Sequence, residues 1–494
     1  MKINKVLIAN RGEIAIRIHH TLKKMGFKTG GIYSREDDNS YHRFLLDECY
    51  YIGDGNLLET YLNIDKIISI AKQYHYDAIH PGYGFLSENY EFALKCEEAN
   101  ILFIGPKSNI IKLMGDKIKS KEIALKSGIP ILTGITGSIE DMIDAIENKH
   151  IDFPILIKAS AGGGGKGMKI LYDKQNIKEE LIASKREAKS YFGNDTIFIE
   201  KYIENPRHIE VQILGDHFGN YIHLFERECS IQRRHQKIIE EAPSPTLTEK
   251  ERNILFDYAI KLAKEIQYTN AGTIEFLFDE QTRNFYFLEM NTRIQVEHPV
   301  TEMITNIDIV EEQINIALNN PLLYSQKEIY KKGHAIELRI YAEDPENHFL
   351  PSPGKILTYI EPEIPNIRID TAIKFPQNIS PHFDPMISKI ISWGHTREEA
   401  RKKLLYALEN YIIHGVKTNI NYLMEILKSD KFINNHINTN FCKEFPYKEN
   451  NNLLNEAIIS TLIYLEQNHY QEHLYKKENQ INNIWKLIGK WSNV

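Results

Sequence analysis

Short apolar runs alternate with helical periodicity over the first hundred residues. Lys5 to Ala9, Thr29 to Tyr33 and Asp77 to His80 read as strands, whereas Glu13 to Met25 repeats its apolar positions at helical spacing. This alternation predicts βαβ units stacked into a parallel sheet. From about Ile129 the texture changes. Strand-like Phe153 to Ala159 and Met168 to Tyr172 flank a glycine run, and a charged helix is predicted over Ile177 to Tyr191, which together read as a small separate lobe. Beyond it, hairpin signals come first and helices later. Thr273 to Phe278 and Phe285 to Met290, on either side of the polar Asp279 to Asn284 turn, predict a hairpin. After Phe445 the chain is rich in Asn, Lys and Glu, turns apolar over Ala457 to Leu465, and closes on a polar stretch with Trp485 and Trp491. A helical extension is expected there.

Composition narrows the picture. The 494 residues are 42% hydrophobic and 26% charged, as in folded globular proteins. Sixty basic and 67 acidic residues leave a net charge of -7, so nucleic acid is not the expected partner, and an anionic substrate would need a local basic site. Cys49, Cys96, Cys229 and Cys442 stand far apart with no C-x-x-C pair, which argues against a zinc site or a disulfide framework. No run of eighteen apolar residues occurs, and the N-terminal apolar run is too short for a signal peptide. A cytoplasmic protein without a membrane partner is expected.

Three features carry chemistry. The first strand-to-helix turn, Asn10-Arg11-Gly12-Glu13, lacks the G-x-G-x-x-G spacing of a dinucleotide site, which removes the main support for a dehydrogenase. The glycine run is Ala161-Gly162-Gly163-Gly164-Gly165-Lys166-Gly167; without Cβ atoms its N–H groups can turn toward an anion. It is no Walker A loop, since Gly167 follows the lysine, and it reads as a mobile flap over a nucleotide in preference to a surface turn. Lys117, Lys158 and Lys237 could join it in a local cationic site, although each alone would be an ordinary surface lysine. Finally, Phe287 to His298, if extended, places Glu289, Asn291, Arg293, Gln295 and Glu297 on one face. Glu275 lies across the hairpin. Two carboxylates and an amide oxygen suit Mg²⁺, Arg293 can clamp a planar anion, and Glu297 can act as a base. The competing reading is a salt-bridge row on a sheet edge.

Taken together, Ala9 to Ala15, His80 to Asn89, the glycine run, Arg233 to Pro243 and Glu289 to Pro299 make the chain resemble the biotin carboxylases of the ATP-grasp family over about Lys2 to Glu444. The resemblance implies an α/β protein: a Rossmann-like N-terminal domain (1–115), an ATP-grasp linker and glycine-rich lid (116–203), a C-terminal ATP-grasp and α+β domain (204–446), and a helical extension (447–494). It implies ATP- and bicarbonate-dependent carboxylation of biotin through carboxyphosphate. By similarity ATP would meet Lys117, Lys158, Gly164, Gly165, Glu200, Lys201, Tyr202, Ile203, His208, His235, Glu275 and Glu289. Two Mg²⁺ or Mn²⁺ ions would sit on Glu275, Glu289 and Asn291. Bicarbonate would be held by Lys237, Arg293, Gln295 and Val296, with Glu297 as its base; biotin would lie against Tyr83, and Arg339 would stabilise its enolate oxygen.

The chain departs from the family pattern at three points. Ala161 stands where many relatives have glycine, with little effect expected. Tyr341 follows Arg339-Ile340 where many acetyl-CoA-type subunits carry Asn, and the Tyr form is similar to subunits serving other acyl-CoAs. The family's Ala-Met-Lys-Met-like biotin attachment sequence does not occur, and the tail from Phe445 is too short for a carrier domain, so a separate biotin carboxyl carrier protein and a carboxyltransferase subunit are the expected partners, with a homodimer as the usual assembly of the family. Acetyl-CoA carboxylation, hence fatty-acid synthesis, is the default pathway and propionyl-CoA the alternative. Another ATP-grasp ligase, or a silent nucleotide-binding scaffold, would be the competing functions.

Overall fold

The computed structural model describes residues 3–148, 150–160, 168–374, 377–445, 447, 458 and 460–464. It forms one compact unit, Met1–Pro446, and a second, Tyr447–Val494, of which 458 and 460–464 are helical. Gly164, Gly165, Trp485 and Trp491 lie outside the described residues.

The N-terminal sheet is parallel throughout, as predicted. Its strands are β1 (Lys5–Ile8), β2 (Lys28–Tyr33), β3 (Glu48–Tyr51), β4 (Ala78–His80) and β5 (Leu102–Phe103), in the order β3-β2-β1-β4-β5. Period-two alternation sends Val6 and Ile8 to a core with Ile14, Ala15, Ile18 and Leu22 of helix Gly12–Lys24. Leu7 and Ala9 face the opposite core, against Ile67, Ile68 and Ala71 of helix Ile64–Gln73. Both faces are covered, which is why β1 reads as a continuous apolar run.

A four-stranded antiparallel sheet follows, built from β6 (Gly134–Thr136), β7 (Ile155–Ala159), β8 (Lys169–Leu171) and β9 (Ile197–Lys201) in the order β6-β9-β7-β8. The charged helix runs Ile177–Phe192 and ends on Gly193 in the left-handed conformation, φ 71°, a position that suits glycine.

The largest sheet has eight antiparallel strands. In chain order they are β10 (Arg207–Gly215), β11 (Tyr221–Arg233), β12 (Gln236–Ala242), β13 (Asn270–Asp279), β14 (Asn284–Asn291), β15 (His334–Tyr341), and the strands Ile367–Thr371 and Met386–Gly394. Along β10, Ile209, Val211 and Ile213 enter a core against Leu255, Phe256, Ala259 and Leu262 of helix Glu249–Glu265. The alternate residues His208, Glu210 and Gln212 therefore belong to the other face. The expected hairpin is β13–β14. Its register shifts once, with Glu275 opposite Glu289 and Phe276 opposite Phe287. This bulge changes the parity of β14, so that Phe287 and Met290 are both in the core.

The expected extended row to Glu297 is not formed. β14 ends at Asn291, residues 292–297 belong to no strand, and Glu297 is the N-cap of helix His298–Thr305. Pro299 in the first helical turn suits the helix start, since its φ is pre-set for it and its missing N–H has no partner to lose there.

Candidate active site

A cavity of about 1110 Å³ opens among the three sheets. Lys158, Glu200, Lys201, Tyr202 and Ile203 line it from the four-stranded sheet and its exit, His208, Lys237, Glu275, Glu289, Asn291 and Arg339 from the large sheet, His235 from a turn of that sheet, and Arg293, Gln295 and Val296 from the irregular segment after β14. Lys117 and Tyr83 complete it. Every described position proposed from the sequence, apart from Glu297, thus lines one cavity. Glu297 is fully buried directly behind that wall.

Lys237 is the centre of the arrangement. Its ammonium donates to Glu210 Oε2 at 2.6 Å, Glu297 Oε1 at 2.7 Å and Glu275 Oε1 at 2.9 Å. The second oxygen of Glu297 accepts from Arg339 at 3.0 Å, while Arg339 Nε donates to Glu240 at 2.6 Å. Burial alone would raise the Glu297 carboxyl, but Lys237, Arg339 and Arg227 hold it well below its ordinary range. Glu240 is pushed up to about 7, chiefly by burial and further by Glu297, against the pull of Arg339. The two carboxyls that share Arg339 are thereby driven apart.

Glu275 Oε1 also accepts from Asn291 Nδ2 and Gln295 Nε2, both at 2.8 Å, and His208 Nε2 lies 3.0 Å from Oε2. Arg293 donates to Glu88 at 2.8 Å and to Asn291 Oδ1 at 3.0 Å. Glu289 is approached by Lys117 at 3.9 Å, and its carboxyl is raised by burial and by Glu275 opposite. A pair of facing carboxylates, one destabilised by the other, next to an amide oxygen, is a donor set that fits a hard divalent cation. On the far wall Lys158 and Lys121 both pair with Glu200, which is fully buried. Lys201 donates instead to the carbonyls of Phe153 at 3.0 Å and Asp152 at 3.2 Å.

His235 is presented by an unusual turn. It and Arg234 join β11 to β12, with Arg233 paired to Gln236, and both have positive φ, 65° and 50°. Two-residue hairpins favour this conformation, yet it is normally given to Asn-Gly, so side chains larger than these mark a strained, specialised turn.

The idea of a concentrated cationic site needs correction. Lys117, Lys158, Lys237, Arg293 and Arg339 do gather here, but each faces at least one carboxylate: Glu289, Glu200, the Glu210–Glu275–Glu297 trio, Glu88 and Glu240, respectively. Sequence reasoning missed Glu210, Glu240, Lys121 and the pairing of Glu88. A signal existed for Glu210, an acid set between Ile209 and Val211 in an apolar strand. All four cysteines are free of disulfides, and among the described residues no helix is long and apolar enough to cross a membrane.

Residues 2–111 match the family described as biotin carboxylase, N-terminal domain; 116–324 match carbamoyl-phosphate synthase L chain, ATP binding domain; and 337–444 match the biotin carboxylase C-terminal domain. Biotin carboxylase 2 of Bacillus subtilis is 48% identical over 441 residues, covering 89% of this chain and 99% of that protein. The mitochondrial propionyl-CoA carboxylase alpha chain of Sus scrofa is 45% identical over 501 residues, which span 99% of this chain and 68% of that one. Among solved structures, the biotin carboxylase domain dimer of Hydrogenobacter thermophilus 2-oxoglutarate carboxylase, in complex with MgADP, ADP and bicarbonate, superposes with a TM-score of 0.87 at 47% identity, covering 91% of this chain and 100% of that one.

Proposed function

We propose a residue-level route for the reaction of this chain, which belongs to the biotin carboxylase family and is an ATP-dependent carboxylase of biotin. The supporting observation is the clamp on Glu297: one carboxylate held between Lys237 and Arg339, beside the Glu275–Glu289 pair.

ATP lies between Lys158 and Glu200 on one wall and His208 and His235 on the other, with Lys117 toward its phosphates. Glu275, Glu289 and Asn291 hold two Mg²⁺ or Mn²⁺ ions, which supply charge neutralisation for the phosphates. Bicarbonate takes the place between Arg293, Gln295, Val296 and Lys237. As Lys237 and Arg339 turn from Glu297 to the substrates, its carboxylate loses two of the three charges that keep it a weak base and retains Arg227. It then removes the bicarbonate proton, and the bicarbonate oxygen attacks the γ-phosphorus to give carboxyphosphate and ADP. Carboxyphosphate breaks down to CO₂ and phosphate, and the phosphate takes the proton from biotin N1. That nitrogen attacks CO₂ while Arg339 stabilises the enolate oxygen and Tyr83 lies against the ring. Arginine suits both roles because it stays charged and donates in a fork. The Gly164–Gly165 lid would exclude water from a fragile intermediate.

The biotin is presented on a carrier protein, with a carboxyltransferase completing the complex and the chain acting as a homodimer in the cytoplasm. Acetyl-CoA, and with it fatty-acid synthesis, is the first reading of the final acceptor. Propionyl-CoA gains support from two observations: Tyr341, and the match to a propionyl-CoA carboxylase chain that runs through the tail. Purified protein with Mg²⁺ should hydrolyse ATP slowly until bicarbonate and free biotin are both added. ATP turnover indifferent to the two additions would overturn the reading.

A further inference from the structure

Residues 292–297 carry Arg293, Gln295, Val296 and Glu297, yet they lie outside every helix and strand, so backbone ladders do not set their shape. Something else must fix the peptide groups there. Thr292 N donates to Glu88 at one end of the segment, at 3.2 Å. At the other end Lys389, in the strand Met386–Gly394, donates to the Val296 carbonyl at 2.8 Å. The Val296 carbonyl belongs to the peptide unit that joins Val296 to Glu297. Its direction therefore sets both the Val296 backbone and the start of the Glu297 side chain.

Lys389 is fully buried, an expensive place for an ammonium unless it is paired. Its partners come from three directions. Asp370, directly opposite on the Ile367–Thr371 strand, lies at 3.6 Å; Glu13, from the N-terminal domain, lies at 3.4 Å; and the Tyr83 ring centroid is 6.0 Å away. Arg339 is its direct neighbour across β15. Burial would lower the lysine, but Glu13, Glu337 and Asp370 more than offset it, so the group stays charged. Glu13 in turn accepts the Tyr83 hydroxyl and is itself buried. One ammonium thus touches the backbone of the proposed bicarbonate segment and the carboxylate that holds the proposed biotin-facing tyrosine.

We propose that Lys389 is a positioning residue: through the Val296 carbonyl it aligns the bicarbonate segment, and through Glu13 it ties that segment to Tyr83, so that the two substrate sites share one anchor. The inference rests on the carboxylase reading and adds to it two residues to which the motifs assign no role.

The test measures ATP turnover of the full chain against bicarbonate and against free biotin, together with ADP affinity, in Lys389→Met and Glu13→Gln. The Met variant keeps the stem and removes the donor. It should raise the KM for bicarbonate at least tenfold while ADP affinity changes less than twofold. Glu13→Gln keeps size and an acceptor oxygen, so it is the decisive variant if the first does not fold. It should raise the KM for biotin about fivefold and that for bicarbonate about threefold, again with ADP affinity preserved. Folded variants with both KM values within twofold of the parent, or with ADP affinity falling in parallel, would overturn the inference. A parent protein whose ATP turnover ignores bicarbonate and biotin would instead remove the carboxylase reading, and this inference with it.

Discussion

Glu297 is ionised before any substrate arrives, because three cations surround a fully buried carboxylate. Glu297→Gln keeps the shape and an acceptor for one cation but cannot take a proton. Carboxylation of free biotin should fall by about 100-fold or more, the usual weight of a general base, while ADP affinity changes less than about threefold. Steady-state rates and a nucleotide titration would check this, and undiminished carboxylation would reject the assigned role. At this scale the motifs were legible because they cluster: Glu289, Asn291, Arg293, Gln295 and Glu297 sit within nine residues of sequence. Glu210, Glu240 and Lys389 were not. Lys389 is a single charge in an apolar strand, whereas Glu210 and Glu240 share their strands with other charged residues; in each case the meaning comes from residues that strand pairing brings alongside. The Arg339–Lys389 pairing spans β15 and the Met386–Gly394 strand, and no local pattern encodes it.

At the scale of elements, alternation predicted the strands well and their ends less well. β1, β7 and β14 come within two residues of expectation at both ends, because each is a short, largely buried apolar run bounded by polar or turn residues. The polar row failed at Asn291, where the chain bends and Pro299 soon starts a helix, an event that periodicity cannot register. Helix Ile309–Ala317 shows the opposite conflict, an acid placed on a core face. Glu312 is 1% exposed, and one of its oxygens has no hydrogen-bond partner. Burial first, with Glu311 and Asp308 adding to it, pushes its carboxyl up to about 7, against a donor N–H from Leu323. The folded state therefore keeps a proton that the unfolded chain releases near its ordinary value of 4.5. The resulting stability is complete below that value and is lost as pH rises through 7. Glu312→Gln should remove this slope: from pH 5 to pH 8 the parent should lose roughly 2 kcal/mol more than the variant. Thermal midpoints at the two pH values would read it out, and parallel declines would contradict it.

For the whole molecule, the described positions proposed for catalysis all fall within the Met1–Pro446 unit. The match to the Bacillus subtilis protein covers 89% of this chain and nearly all of that one. A chain ending at Pro446 should thus retain biotin-dependent ATP turnover within about twofold, and a tenfold loss would give the last segment a part in catalysis. Net charge was the least useful global number. The value of -7 concealed a site in which Lys117, Lys158, Lys237, Arg293 and Arg339 each already have an acidic neighbour, while Lys201 is held by backbone carbonyls. Such a site carries its own counterions. When empty, it presents little net field, so stray inorganic anions gain no large attraction from it and association is not strongly steered by long-range charge. A substrate must instead exchange partners with the glutamates one contact at a time. Only a ligand that offers matching oxygens at several of these points can complete the exchange, so discrimination is made by the substrate's geometry and not by its charge.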